Sequence, residues 1–304
     1  MEYCSRRERY IVLKVRTDLA SEAWRLWQKS AGKAGALAGA EAETENENGV
    51  AVETVRILDE RGAEALGKPV GTYVSIALGD VRGRGEFETA AGVIASRLRR
   101  LLKLDGGDCV LLCGLGNAAI AADRIGPGAA EHTLATRHLL REMPEDFGFL
   151  RPVCVLAPGV LGKTGVESGE LTAALVERVS PAAVIAVDAL AARDAARLCR
   201  TVQLADTGIV PGSGIGNARA ELSRRTLGVP VVAIGVPTVI DAATLAADLL
   251  PCGDEAESPL LSGMMVTPRD IDREAAQLSR LIGYGVNLAL HDGLTAEDVT
   301  ELLG

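Results

Sequence analysis

From residue 109 onward, short apolar runs alternate with polar breaks rich in glycine or proline. Five runs stand out, at 109–113, 153–157, 184–187, 202–205 and 231–236. They are apolar at consecutive positions, the pattern of parallel strands buried on both faces. Helical patterns at 167–179 and 189–198 lie between them. That alternation predicts an open α/β sheet covered by helices, with its active site at the carboxyl ends of strands. Upstream, 50–58 and 70–78 read as strands. Residues 87–104 read as a helix, with Val93, Ile94, Leu98, Leu101 and Leu102 at helical spacing and basic residues near its end. Leu19, Ala23, Leu26 and Trp27 share one face of a short helix. Residues 31–49, rich in Ala, Gly and Glu, predict a flexible loop. Residues 267–304 predict two helices joined near 287–292, with Thr267 as N-cap and Pro268 as first helical residue.

Composition narrows the class. The chain has 304 residues, 48% of them hydrophobic, which excludes global disorder. It carries 32 Lys and Arg against 41 Asp and Glu, a net charge of −9, with 3 Phe, 2 Trp and 4 Tyr. An acidic chain poor in stacking rings is not built to grip nucleic acid. No apolar run reaches the roughly 18 residues of a membrane span, and the charged residues 1–10 do not form a signal peptide. Six cysteines, at 4, 109, 113, 154, 199 and 252, read as reduced core thiols. A cytoplasmic α/β enzyme with neither nucleic acid nor membrane as direct partner is the expectation.

The candidate chemistry gathers where strands end. Asp188 follows the run 184–187, Asp206 follows 202–205, and Asp123 lies in the loop beyond Gly114-Leu115-Gly116-Asn117. These acids are expected on one edge of the sheet. Two neighbouring carboxylates cannot both ionise cheaply, so one keeps a proton and the pair can activate a water. The bland alternative is that each Asp caps the next helix. Gly114–Ala119 also fits a loose dinucleotide pattern, but the acid expected about 20 residues later is missing. A second flexible loop spans Pro211, Gly212, Ser213, Gly214, Ile215, Gly216 and Asn217. There is no Walker lysine, no C-x-x-C and no G-x-S-x-G; the three His (132, 138, 291) are too few for a His-based metal site.

Long motifs then become specific. Val15-Arg16-Thr17-Asp18-Leu19-Ala20, Gly67-Lys68-Pro69-Val70-Gly71, Leu112-Cys113-Gly114-Leu115-Gly116-Asn117 and Ala186-Val187-Asp188-Ala189-Leu190 resemble the bacterial spore germination proteases. So do Asp206-Thr207-Gly208-Ile209-Val210-Pro211-Gly212-Ser213-Gly214 and Gly235-Val236-Pro237-Thr238. The resemblance implies an aspartic-type endopeptidase that starts breakdown of small acid-soluble spore proteins. It implies a homotetramer in the spore core and a three-layer α/β sandwich with a mostly parallel sheet, similar to hydrogenase maturation proteases. The family's two essential aspartates fall on Asp123 and Asp188. Around the first, the usual Thr-Pro-Asp-Ala-Leu-Gly-Pro is here Ala121-Ala122-Asp123-Arg124-Ile125-Gly126-Pro127. An inward-facing Arg124 would lower the pKa of Asp123.

Family members also trim themselves, which implies a pro-segment at 1–18, a cut at Asp18–Leu19 and a single peptidase domain at 19–304. The string Asp18-Leu19-Ala20-Ser21-Glu22 mimics the family's substrates, so Asp18 and Leu19 are expected in the catalytic cleft. Oxyanion or substrate-loop candidates are Gly114, Gly116, Asn117, Gly212, Ser213 and Gly214. No cofactor or metal is expected. The rivals are a metal-dependent peptidase using Asp123, Asp188 and His138, and a nucleotide-binding protein using Gly114–Ala119.

Overall fold

Alternate residues of single strands point into two different cores. In β4 (Val110–Gly114), Val110 and Leu112 enter one core, Leu111 and Cys113 the other. In β6 (Ala183–Ala192), Ile185 and Val187 share the first core, Val184 and Ala186 the second. A sheet apolar on both faces needs cover on both. The computed structural model, in which residues 17–30, 37–213, 219–249, 261 and 263–304 are described, supplies it.

In chain order the main elements are α1 (Ala20–Ser30), β1 (Ala40–Glu47), β2 (Val50–Ile57), α2 (Glu60–Leu66), β3 (Gly71–Ala77), α3 (Arg84–Leu102), β4, α4 (Ile125–Glu131), β5 (Val153–Leu156) and α5 (Ser168–Val179). Then come β6, β7 (Thr201–Ala205), β8 (Val231–Asp241), β9 (Met265–Val266), α6 (Ile271–Leu290) and α7 (Ala296–Leu303). The sheet order is β1-β2-β3-β7-β8-β6-β4-β5, with β9 against β8. Strands β5, β4, β6 and β8 are parallel, and the wing from β8 through β7 to β1 is antiparallel. Helices α3, α4, α6 and α7 cover one face; α1, α2 and α5 cover the other. The chain is thus a three-layer α/β sandwich, and four of the five apolar runs form its parallel block.

Several expectations change. The run at 202–205 is a strand, but β7 lies antiparallel to β8, so Asp206 emerges at the opposite edge from Asp188. There Asp206 accepts the Thr72 amide at 2.7 Å and returns its own amide to the Thr72 carbonyl. The helix expected at 189–198 is absent. β6 continues through Asp188 to Ala192, paired with β8 as far as Ile240, and only a 3₁₀ turn (Ala195–Arg197) follows. The stretch is rich in helix formers, but sheet pairing and burial of Leu190 and Ala192 override that propensity.

Part of the loop expected at 31–49 is also a strand. β1 pairs along its length with β2 through an Asn48-Gly49 turn, both residues at positive φ, the hairpin signature for a tight two-residue turn. Its glutamates are held by Arg56 and by the buried Arg97. Residues 31–36 lie outside the described residues. At the C-terminus α6 starts at Ile271 rather than at Pro268, and the Thr267 hydroxyl donates to the Thr238 carbonyl instead of capping.

Candidate active site

Asp188 is in the middle of β6, on the same face as Ala186 and Leu190, and is 4% exposed. Its Oδ1 accepts the amide of its own neighbour, Ala189, at 2.9 Å. Burial chiefly pushes its carboxyl up to about 8, the Asp123 charge adds to this, and a smaller push comes from Asp18. Asp188 therefore carries its proton at neutral pH.

Asp123 reaches the same place from the other side of the β4 loop. The chain leaves β4, turns through Gly114–Asn117, and returns by a 3₁₀ turn (Ala121–Asp123) into α4. Two glycines allow the return. A Cβ on Gly126 would stand 2.2 Å from the Leu115 carbonyl and 2.4 Å from that of Val187, the residue before Asp188. A Cβ on Gly116, at φ +112°, would stand 2.2 Å from the Asp123 carbonyl. The Leu115 amide donates to Val187, tying loop to strand, and the Asn117 amide donates to Asp123 Oδ2 at 2.9 Å. Burial raises the Asp123 carboxyl above its ordinary range against the pull of that amide. Arg124 is not among the groups that shift it, so the lowering expected from an inward Arg124 does not occur.

The two acids picked from strand ends thus interact, although Asp188 lies within its strand. The third, Asp206, does not join them. The Gly114–Ala119 loop is unsuited to a pyrophosphate, because the Leu115 and Asn117 amides are spent inside the site and no long helix starts behind it. His138 is exposed on the short helix Arg137–Glu142. Among the described residues no group of three or more His, Cys, Asp or Glu gathers as a metal would require.

The segment around Asp18 lies along β6. The Asp18 amide donates to the Ala191 carbonyl at 3.0 Å, and Asp18 Oδ2 accepts the Ala191 amide at 2.8 Å. Ser213 Oγ donates to Asp18 Oδ1 at 3.0 Å. Gly212 lies beside Ser213 at φ +72°, while Gly214 and the rest of 214–218 lie outside the described residues. Ala191 is three residues beyond Asp188, about 10 Å along a strand. Asp18 is near enough for its charge to raise the Asp188 carboxyl, so the segment is docked beside the acid pair. Leu19 and Ala20 are fully buried, Leu19 against Leu190 and Ala192. Residues 1–16 of the expected pro-segment lie outside the described residues.

Sequence reasoning missed the residues that hold this segment. Gln203 Nε2 donates to the Asp18 carbonyl at 3.1 Å while its Oε1 accepts the Ala20 amide at 2.8 Å. Lys68 Nζ donates to the Thr17 carbonyl at 2.8 Å; burial lowers its pKa, and Asp18 and Glu22 oppose that. The Ser21 hydroxyl accepts from Ser75 and Arg197, each at 3.0 Å. Glu22, 4% exposed, accepts the Arg193 and Asp194 amides at 2.8 and 2.9 Å. A signal for Gln203 existed: it is the one polar residue inside the apolar run 202–205.

Known proteins resemble the chain over most of its length. The family model described as Germination protease matches residues 20–251. A germination protease of Caldanaerobacter subterraneus subsp. tengcongensis is 39% identical over 96% of this chain and 99% of its own. One from Clostridium tetani is 36% identical over 96% of this chain and 100% of its own. One from Bacillus cereus is 34% identical over 91% and 94% respectively. Among solved structures, a [NiFe] hydrogenase maturation protease HycI from Thermococcus kodakarensis KOD1 matches 62% of this chain and 98% of its own, at 18% identity and a TM-score of 0.33. No helix among the described residues is long and apolar enough to cross a membrane.

Proposed function

This chain belongs to the germination protease family, a peptidase family acting in germination, and from that premise we propose the finer function. It is an endopeptidase of aspartic type that opens the degradation of small acid-soluble spore proteins. It is made as a zymogen that removes residues 1–18 by hydrolysing Asp18–Leu19, and it works as a homotetramer in the spore core. The substrate class, the tetramer and the location are carried over from the resemblance.

What supports the aspartate chemistry is the burial of Asp188 within β6, near enough to Asp123 for that charge to add to burial in pushing the Asp188 carboxyl up to about 8. Asp123, the more accessible acid, accepts a proton from a water as that water attacks the scissile carbonyl carbon. Asp188 donates a hydrogen bond to the carbonyl oxygen and stabilises the charge that develops there. Collapse of the intermediate passes a proton to the leaving nitrogen. The products are an α-carboxylate on one side and an amine on the other. Gln203, Ser213 and Lys68, acting on adjoining atoms, present Asp18 at Ala191, beside the pair, for self-cleavage.

The test is to incubate the processed chain with a purified small acid-soluble spore protein, with and without a chelator, and to follow fragments by mass. Cleavage on the carboxyl side of an acid followed by an apolar residue, unchanged by the chelator, is expected. Cleavage that stops with the chelator and returns with one added metal would favour the metal-dependent reading.

A further inference from the structure

Glu22 is a buried carboxylate whose environment the cut would change. In the full chain its Oε2 accepts the Thr17 hydroxyl and the Arg193 amide, and its Oε1 accepts the Asp194 amide, with Arg197 Nε 3.9 Å away. Thr17 Oγ1 also accepts the Leu19 amide at 3.0 Å. The Thr17 hydroxyl therefore bridges the Leu19 nitrogen and the Glu22 carboxylate. Removal of residues 1–18 takes that hydroxyl away and leaves Glu22 one donor short in a buried site, which is costly if nothing replaces it.

We propose that the new α-ammonium of Leu19 replaces the Thr17 hydroxyl and forms an internal ion pair with Glu22, locking the processed N-terminus into the end of β6. The proposal rests on the cut at Asp18–Leu19. Hydrolysis there adds one water, leaving a carboxylate on Asp18 and an ammonium on Leu19, and the leader departs with Thr17. Leu19, Ala20 and Ser21 are fully buried, so this part of the chain has strong reason to stay in place.

The geometry favours direct contact. Sharing one hydroxyl puts the Leu19 nitrogen no more than about 5.5 Å from Glu22 Oε2 even before any adjustment. Helix α1 begins at Ala20, so Leu19 is its N-cap and Glu22 its third residue. A glutamate at that position reaches back to the N-cap nitrogen in the ordinary capping arrangement. An ammonium at a helix N-terminus faces the positive end of the helix dipole, and a carboxylate there offsets that repulsion. The charged neighbours of the pair are Arg197 and Arg193 beyond β6 and Lys68 before β3; the leader's own Asp18 leaves. Glu22 grips the Arg193 and Asp194 amides, so the pair joins the new terminus to the segment that follows Asp188 and Ala192.

The test compares N-terminal acylation in folded protein at neutral pH, using an amine-reactive ester and locating the label by mass. Processed wild type, processed Glu22→Gln and a short peptide starting Leu-Ala-Ser are compared. A partner that raises the amine pKa by one unit lowers the reactive fraction about tenfold. Wild type is expected to label at least about tenfold more slowly than the peptide, and Glu22→Gln within about threefold of it. Labelling of wild type at the peptide rate, or equal protection in both proteins, would overturn the pair. If Glu22→Gln does not process itself, the same chain released from a removable fusion with Leu19 first supplies the terminus. If wild type processes to a terminus other than Leu19, the cut is wrong, and the fusion-released chain still decides whether the pair forms.

Discussion

Gln203 holds Asp18 by its carbonyl, at 3.1 Å, while the other end of the same carboxamide holds the Ala20 amide at 2.8 Å. One side chain thus grips both sides of the Asp18–Leu19 bond. Replacing Gln203 with Leu keeps the size and removes both contacts. Two hydrogen bonds of about 1 kcal/mol each correspond to about 30-fold. Self-cleavage of Gln203→Leu, followed by intact mass, is expected to slow by about that factor; an unchanged rate would show that Gln203 does not position the bond.

Gly116 tests the placement of Asp123. Alanine there meets the Asp123 carbonyl at 2.2 Å and must adopt φ +112°. Moving a reacting group by about 1 Å commonly costs about 100-fold, so Gly116→Ala is expected to lose at least that much peptidase activity. Gly92, exposed inside α3 with nothing within 4 Å of an added Cβ, is the control. Gly92→Ala is expected to stabilise by about 0.5–1 kcal/mol in denaturant unfolding and to keep full activity.

The acid pair fixes a pH dependence. Asp188 must be protonated and is held so up to about 8, so activity is expected to fall as pH rises through about 8. It is expected to fall again in acid as Asp123 takes a proton, at a pH above the ordinary carboxylate range because burial raises it. Initial rates on a peptide substrate across pH 4–10 check both limbs.

Stability follows the same shift with a definite sign. In the unfolded chain Asp188 loses its proton near pH 4, but the folded chain keeps it to about 8. Its contribution to stability is therefore complete below about pH 4 and is lost progressively as pH rises toward 8. Asn mimics the protonated acid and suffers no such loss. Asp188→Asn is expected to match wild type near pH 4 and exceed it by on the order of 4 kcal/mol at pH 7 in urea unfolding.

Much of this was legible in the sequence, for reasons that individual residues make plain. Consecutive apolar residues at 184–187 announce a strand covered on both faces, and the structure pairs them between β4 and β8. Asp123 and Asp188 stood out, with Asp206, because they lie at or beyond the ends of apolar runs, and the family resemblance then fell on the first two. What failed was local propensity: Ala189–Ala192 reads as helix alone but is strand beside Val236–Ile240. Glu-rich β1 reads as loop until Arg97 and the Asn48-Gly49 turn are considered. The antiparallel course of β7 leaves no trace in its own residues, so the placement of Asp206 was beyond reach. Gln203, Lys68 and Glu22 reach partners 51 to 185 residues away, which no local pattern reveals.

The central claim is that Asp188 performs the chemistry that removes the leader. Intact mass of purified wild type and Asp188→Asn, incubated side by side at neutral pH, tests it directly. Wild type is expected to shorten to a chain beginning at Leu19, while Asp188→Asn stays full length and folded, slowed by at least about 1,000-fold. Processing of Asp188→Asn to Leu19 at the wild-type rate would contradict the account.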